Sequence, residues 1–334
     1  MATYKEIKGT QIQAVATDPS NPVEGQVWYN TTSQVLKGSK GALIASWSTV
    51  NSINNRRYYL AGSGTQTAAL GYGGRPPSGT PSGGNFSAQT ESWNGTNWTE
   101  VNDLNTSRQA LSGAGTGNTA ALAFGGNPAP PNPKVYTELF NGTNWTEVND
   151  LNTGREIAAS GGTSTAALMF GGTTQTAPAA NNESWNGTNW TELADLNTAR
   201  YFISGAVSST SLALGYGGEN PPNQGITESW NGSSWTEVND LNTGRGAFAR
   251  GACGTAPAAL AIGGNAPNKA LTELWNGSNW SEQNDLNVGR TVAGSSGAPA
   301  AALAFGGSAP SAPGQSDAAE AWTEAGGVVT FTDS

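Results

Sequence analysis

Six arginines recur along the 334-residue chain: Arg57, Arg108, Arg155, Arg200, Arg245 and Arg290. From Arg108 onward the steps between them are 47, 45, 45 and 45 residues. A guanidinium is a planar fork of donors that matches a carboxylate or sulfate, so a ring of six predicts a binding site for an acidic glycan. The pattern also has a structural reading. Five of the arginines follow an aspartate at five residues' distance (Asp103, Asp150, Asp195, Asp240 and Asp285), and each pair would pin a loop between repeats. Repetition in every unit favours the loop-pinning role, because binding sites usually break symmetry. The six arginines remain the ligand-binding candidates that the sequence offers.

Composition narrows the other chemistries. Histidine is absent and Cys253 is the one cysteine, which removes intramolecular disulfides, Cys/His zinc sites and every His-dependent triad. Glycoside hydrolysis needs two convergent carboxylates. Here the acids repeat with the units, as at Glu100, Glu147, Glu192, Glu237 and Glu282. A non-enzymatic protein with no cofactor and no metal is therefore expected. Cys253 reads as a small buried strand residue. The twelve tryptophans would suit stacking on sugars, but their regular recurrence predicts a core role.

The formal charge of −9 is uneven: residues 1–60 carry six cations against three acids, a net +3, and the remainder carries −12. So acidic a chain is a poor partner for nucleic acid, which requires a basic face. No apolar stretch approaches the roughly 20 residues of a membrane span, so no membrane insertion is expected. The N-terminal residues lack an apolar signal core. The expected location is therefore the cytoplasm, or an assembly released from a cell, and the Asn-Gly-Thr triplets read as turns rather than glycan acceptors.

The elements that must position these residues come from a repeat. Forty-six Gly and 17 Pro, with only 12% charged residues, disfavour helices and favour short strands with tight turns. Thr-Glu-Val-Asn-Asp-Leu-Asn-Thr-Gly-Arg stands at 146–155 and again at 236–245, with close variants ending at Arg108, Arg200 and Arg290. After each arginine come a small-residue run (strand a), an apolar run ending in two glycines (strand b), a variable loop, and an aromatic hairpin (strands c and d) turned by Asn-Gly. Four-stranded units of ~45 residues that cover one another radially form a β-propeller. The pattern resembles the kelch repeat over about residues 46–334: Ala-Leu-Met-Phe-Gly-Gly at 167–172, Trp185, Trp190 and Arg200 fill the kelch places. The resemblance implies an all-β, six-bladed kelch-like propeller. It does not extend to a kelch-type copper oxidase, whose histidine ligands are missing, and the hairpins only superficially echo sialidase boxes.

Strand alternation puts the b–c and d–a connections on one face. The b–c loops, Arg75–Gln89, Asn127–Tyr136, Thr173–Asn182, Glu219–Ile226, Asn265–Leu271 and Ser308–Asp317, differ in length and residues. Divergent loops on a rigid scaffold predict a recognition surface. The sixth unit lacks a Trp-bearing strand d after Trp322, whereas Trp47–Arg57 matches Trp98–Arg108 in length and at most key positions. Residues 46–50 are therefore expected to pair with 319–323 and close the ring, the competing candidate being 328–332.

Residues 1–45 lie outside the repeat and read as two short strands across a polar turn. Asp18-Pro-Ser-Asn-Pro-Val-Glu-Gly-Gln-Val-Trp28-Tyr-Asn, with Thr31-Thr-Ser and Val35-Leu-Lys-Gly after it, resembles N-terminal segments of bacteriophage virion and tail-appendage proteins, notably of marine phages; the plainer reading is a cap on the propeller flank. The resemblance implies a tail or capsid appendage docked on other virion proteins through 1–45, with the propeller facing a host-surface glycan or protein. The alternative is a cytoplasmic kelch-type protein–protein interaction module.

Overall fold

The computed structural model describes residues 12–18, 27–39, 45–77, 86–128, 134–174, 177–249, 251, 253–265, 269–309, 316–324 and 328–331. Parts of five variable b–c loops (78–85, 129–133, 175–176, 266–268 and 310–315) lie outside them. The chain divides into two compact units, Trp47–Thr323 and a smaller one made of Met1–Ser46 with Glu324–Ser334.

Within the larger unit, each repeat folds as its residue pattern dictates. In the third, the small run Ala159–Gly162 pairs antiparallel with the apolar Ala167–Phe170, then with Asn182–Trp185 and Trp190–Leu193. Strand b is buried on both faces, which explains its unbroken apolar residues. Among the described residues, six four-stranded sheets share this a–b–c–d order, here numbered I to VI by their strands a. These strands begin at Ala61, Ser112, Ala159, Ser204, Gly254 and Gly294. Each strand a packs against the next, and that of sheet VI against that of sheet I, so the sheets form a closed β-propeller. No helix among the described residues is long and apolar enough to cross a membrane.

The fourth strand of sheet VI is Ser46–Val50, beside Ala319–Thr323. Trp47 stacks on Trp322 with centroids 5.4 Å apart, matching Trp93–Trp98 at 5.3 Å and Trp275–Trp280 at 5.4 Å. The competing strand, Val328–Phe331, pairs with Val35–Ser39 instead. The boundary expected at 46–334 is thus corrected, because the C-terminal strand completes the smaller unit's sheet with Gln13–Val15, Val27–Asn30 and Val35–Ser39.

Two turns show how the glycines are used. In the Asn94–Asn97 loop only Gly95 has a positive φ, of 92°. Asn94 stays in ordinary space, and its Oδ1 caps the Thr96 and Asn97 N–H groups at 2.9 and 2.8 Å. The double glycine lets the backbone turn in close contact with the following d–a loop. Gly126, at φ 89°, donates its N–H to the carbonyl of Arg155 at 3.0 Å, and a Cβ on Gly125 would sit 2.7 Å from that same oxygen.

Candidate functional site

The six arginines are buried, each fully hidden from solvent. Their partner is a glutamate on strand c, not the aspartate five residues earlier. Arg155 donates from Nη1 to Glu183 Oε1 at 2.5 Å and from Nη2 to the Met169 carbonyl at 2.9 Å. The other oxygen of Glu183 accepts the backbone and side-chain amides of Asn152 at 2.8 and 2.9 Å, and Asn152 also holds the Trp190 carbonyl. The ion pair recurs as Arg57–Glu91, Arg108–Glu138, Arg200–Glu228, Arg245–Glu273 and Arg290–Glu320. The aspartate serves the preceding sheet: Asp150 Oδ1 accepts the Thr137 N–H at 3.1 Å, as Asp103 does for Thr90 and Asp240 for Thr227. Each d–a loop is therefore tied backward by Asp and forward by Asn and Arg.

Burial pushes the guanidinium pKa values of Arg57, Arg108, Arg155, Arg200 and Arg290 below the ordinary arginine value, against the opposing pull of the facing glutamates. An acidic glycan cannot reach these groups, which already face carboxylate and carbonyl oxygens, although the Nε of Arg57, Arg108 and Arg155 and the Nη2 of Arg200 are buried without a partner. The ligand-binding expectation for Arg57, Arg108, Arg155, Arg200, Arg245 and Arg290 is corrected accordingly: they join neighbouring sheets. The missed glutamates had a sequence signal, since each stands two residues before the first hairpin aromatic in all six repeats. The aspartate recurs in only five.

The tryptophans are likewise structural. Trp190 stacks on Phe124 of the preceding sheet at 4.8 Å and donates its indole N–H to Thr137 Oγ1 at 3.0 Å. Trp145, Trp280 and Trp47 donate in the same way to Thr90, Thr227 and Thr272. The equivalent residues are Asn182 and Ala319 at the other two joints, and there Trp235 and Trp98 leave buried indole N–H groups without a partner.

A second ring lies two residues beyond the arginines. Tyr59, Ala110, Ile157, Phe202, Ala247 and Val292 all have φ between 48° and 58°. This left-handed conformation costs a non-glycine residue roughly 1–2 kcal/mol and is rarest for β-branched side chains. Tertiary bonding imposes it. Tyr59 N–H donates to the Val292 carbonyl, Val292 to Ala247, Ala247 to Phe202, Phe202 to Ile157, Ile157 to Ala110 and Ala110 back to Tyr59, at 2.8–3.2 Å. The ring closes after six bonds and surrounds the axis on the face of the d–a and b–c connections.

Around it the backbone repeats while the side chains do not. The residue after each arginine bridges to the residue after each double glycine: Tyr58 to Arg75, Gln109 to Asn127, Glu156 to Thr173, Tyr201 to Glu219, Gly246 to Asn265 and Thr291 to Ser308. No two pairs are alike. Tyr58, Tyr59, Phe202 and Tyr201 form a half-exposed aromatic row across the axis, with successive centroids 4.9, 6.2 and 5.3 Å apart. The Arg75 guanidinium lies 5.7 Å over the Tyr58 ring. At the other end, burial and the bonded Glu219 carboxylate push the Tyr201 hydroxyl pKa up.

At the opposite end of the axis, the ends of all six strands a surround a cavity of about 430 Å³ lined by Gly64, Gly115, Gly162, Val207, Gly254 and Gly297 among others, with no charged side chain. Cys253 is buried, its thiol pushed up to about 12 by desolvation. Among the described residues no three His, Cys, Asp or Glu side chains converge as a metal ion would require.

No protein-family model and no curated protein matches the chain. Among solved structures, that of YjhT superposes with a TM-score of 0.61 at 12% identity, covering 83% of this chain and 96% of YjhT. At that identity the likeness is one of fold, a kelch-like β-propeller.

Proposed function

We propose that the chain is a non-enzymatic recognition propeller of a bacteriophage virion, a tail or capsid appendage that presents its axial b–c face to the host surface. The small terminal unit docks on other virion proteins. One observation carries the recognition role: side chains diverge around the left-handed ring on a backbone that is otherwise repeated sheet by sheet. A repeat that keeps its staples and varies its axial side chains is the arrangement of a scaffold carrying one asymmetric site. The particle role is supported by the likeness of the Val27–Asn30 region to phage appendage segments. Within that unit Val328–Phe331 pairs with Val35–Ser39, so the unit is built from segments on both sides of the propeller repeats.

Two measurements test the proposal. Mass spectrometry of purified particles should find the chain at structural stoichiometry, and purified protein should adsorb to host cells. Absence from particles, with capture of a cytoplasmic protein through the same face, would transfer the chain to the intracellular interaction class. Turnover of any polysaccharide would remove the non-enzymatic reading.

A further inference from the structure

We infer that the aromatic row across the axis is a binding site for a neutral saccharide. The inference rests on the proposed recognition role of that face and names its ligand class.

The first argument is conformational. The chain places glycine at 23 described positions of positive φ, including both members of every double glycine. At the axial ring it holds Tyr59, Ile157, Phe202 and Val292 instead, where glycine would relax the backbone. Strain kept in this way points to a use for the side chains. Ala110, Ala247 and Val292 are buried, so they pack the channel top, whereas Tyr59, Ile157 and Phe202 stay half-exposed. Packing alone leaves the two aromatic rings unexplained.

The second argument is chemical. Tyr59 and Phe202 are near-parallel, with planes 19° apart, and Tyr58 and Tyr201 extend the row at either end. An aromatic face suits the C–H face of a pyranose, while Arg75 and Glu219 flank the row with opposite charges to meet hydroxyl groups. Those two charges cancel. The arginines that would draw an acidic glycan are buried against glutamates, and the protein carries −9 overall, so a polyanionic ligand is repelled. The ligand that remains is uncharged.

The test is calorimetric titration with neutral oligosaccharides (lactose, maltose and chitobiose) beside sialyllactose and a heparin disaccharide. The variant is Tyr59→Gly/Phe202→Gly, which removes both rings where glycine accepts the backbone geometry and keeps the ring hydrogen bonds. Binding of a neutral sugar that falls tenfold or more in the variant, with no fall in melting temperature, is the expected result. Full-strength binding in the variant, binding confined to the acidic sugars, or no sugar binding at all would overturn the inference. Host-cell adsorption separates that failure from failure of the parent proposal. Adsorption lost in the variant without sugar binding keeps the axial face as the recognition surface, and adsorption retained in the variant removes that role.

Discussion

Two rings of six residues circle the same axis, two positions apart in sequence, and they obey opposite rules. The arginine ring is chemically uniform, buried and paired with glutamates, which asparagines bond in turn. The left-handed ring is uniform only in its backbone and carries tyrosine, alanine, isoleucine, phenylalanine and valine. Uniformity marks the groups whose loss would leave a buried charge or an open joint. Variation begins where the requirement falls on N–H and C=O, which every side chain leaves in place. The boundary between uniform framework and divergent axial face therefore runs within three consecutive residues.

The largest expected effect breaks the uniform ring. Glu183→Ala leaves Arg155 as an uncompensated buried cation and strands the Asn152 amides. Removing one partner of a buried pair costs about 3–5 kcal/mol. Chemical denaturation should show that loss, and an Arg155→Met/Glu183→Leu pair should lose less than the single variant. If Glu183→Ala cost under ~1 kcal/mol, the arginine ring would not be the framework described. The saccharide affinity proposed for the axial face should be unchanged in the variant wherever the protein remains folded.

A smaller effect is already displayed by the imperfect joints. Thr137→Val should leave the Trp190 indole N–H unpaired, at a cost of about 1–3 kcal/mol, and so reproduce the condition of Trp98 beside Ala319 and Trp235 beside Asn182. Conversely, Ala319→Thr should offer Trp98 a hydroxyl and stabilise the joint between sheets VI and I by roughly 1 kcal/mol. Thermal melting of the pair of variants checks both signs, and a neutral Ala319→Thr would show that water already serves Trp98.

These contrasts also explain what the residues alone could reveal. Strand order, the double glycines, the Trp pairs and the use of Trp47 as the missing arm beside Trp322 were legible, because each is a periodic or complementary pattern. The arginine's partner was not. Asp150 lies five residues from Arg155, whereas Glu183 lies 28 away and reaches it only through strand c of the sheet that the loop enters. The axial ring was invisible for a stronger reason: tyrosine, isoleucine, phenylalanine and valine argue locally against left-handed geometry. Only a hydrogen-bond cycle spanning the whole propeller imposes it.

Cys253 gives a check with no stability cost. Its buried thiol, pushed up to about 12, should resist alkylation at pH 8 in the folded protein and react fully once the chain is unfolded. Prompt labelling without denaturant would mean that strand a of sheet V opens readily, which a closed ring of mutually supporting strands opposes.

The smallest effect concerns an ion pair that water can reach. In the terminal unit, Asp18 accepts from Lys37 Nζ at 2.6 Å, Asn30 Nδ2 at 2.6 Å and Trp28 Nε1 at 3.1 Å. These bonds, Lys37 first, hold its carboxyl down from the ordinary 3.8 to about 2. A depressed carboxylate contributes stability above its unfolded value and loses it as the pH falls through its folded one. The contribution should therefore be whole above about pH 4 and disappear toward pH 2. The indole N–H resonance of Trp28 reports it directly, because Trp28 is buried and bonded to the titrating oxygen. Its shift should turn near pH 2 in the native protein and stay flat in Asp18→Asn. A midpoint near 4 would show that the exposed cluster is fully screened, unlike the propeller staples, where the same pairing of cation and carboxylate is closed to water. Surface pairs are generally weak, so little change in global melting should accompany the titration.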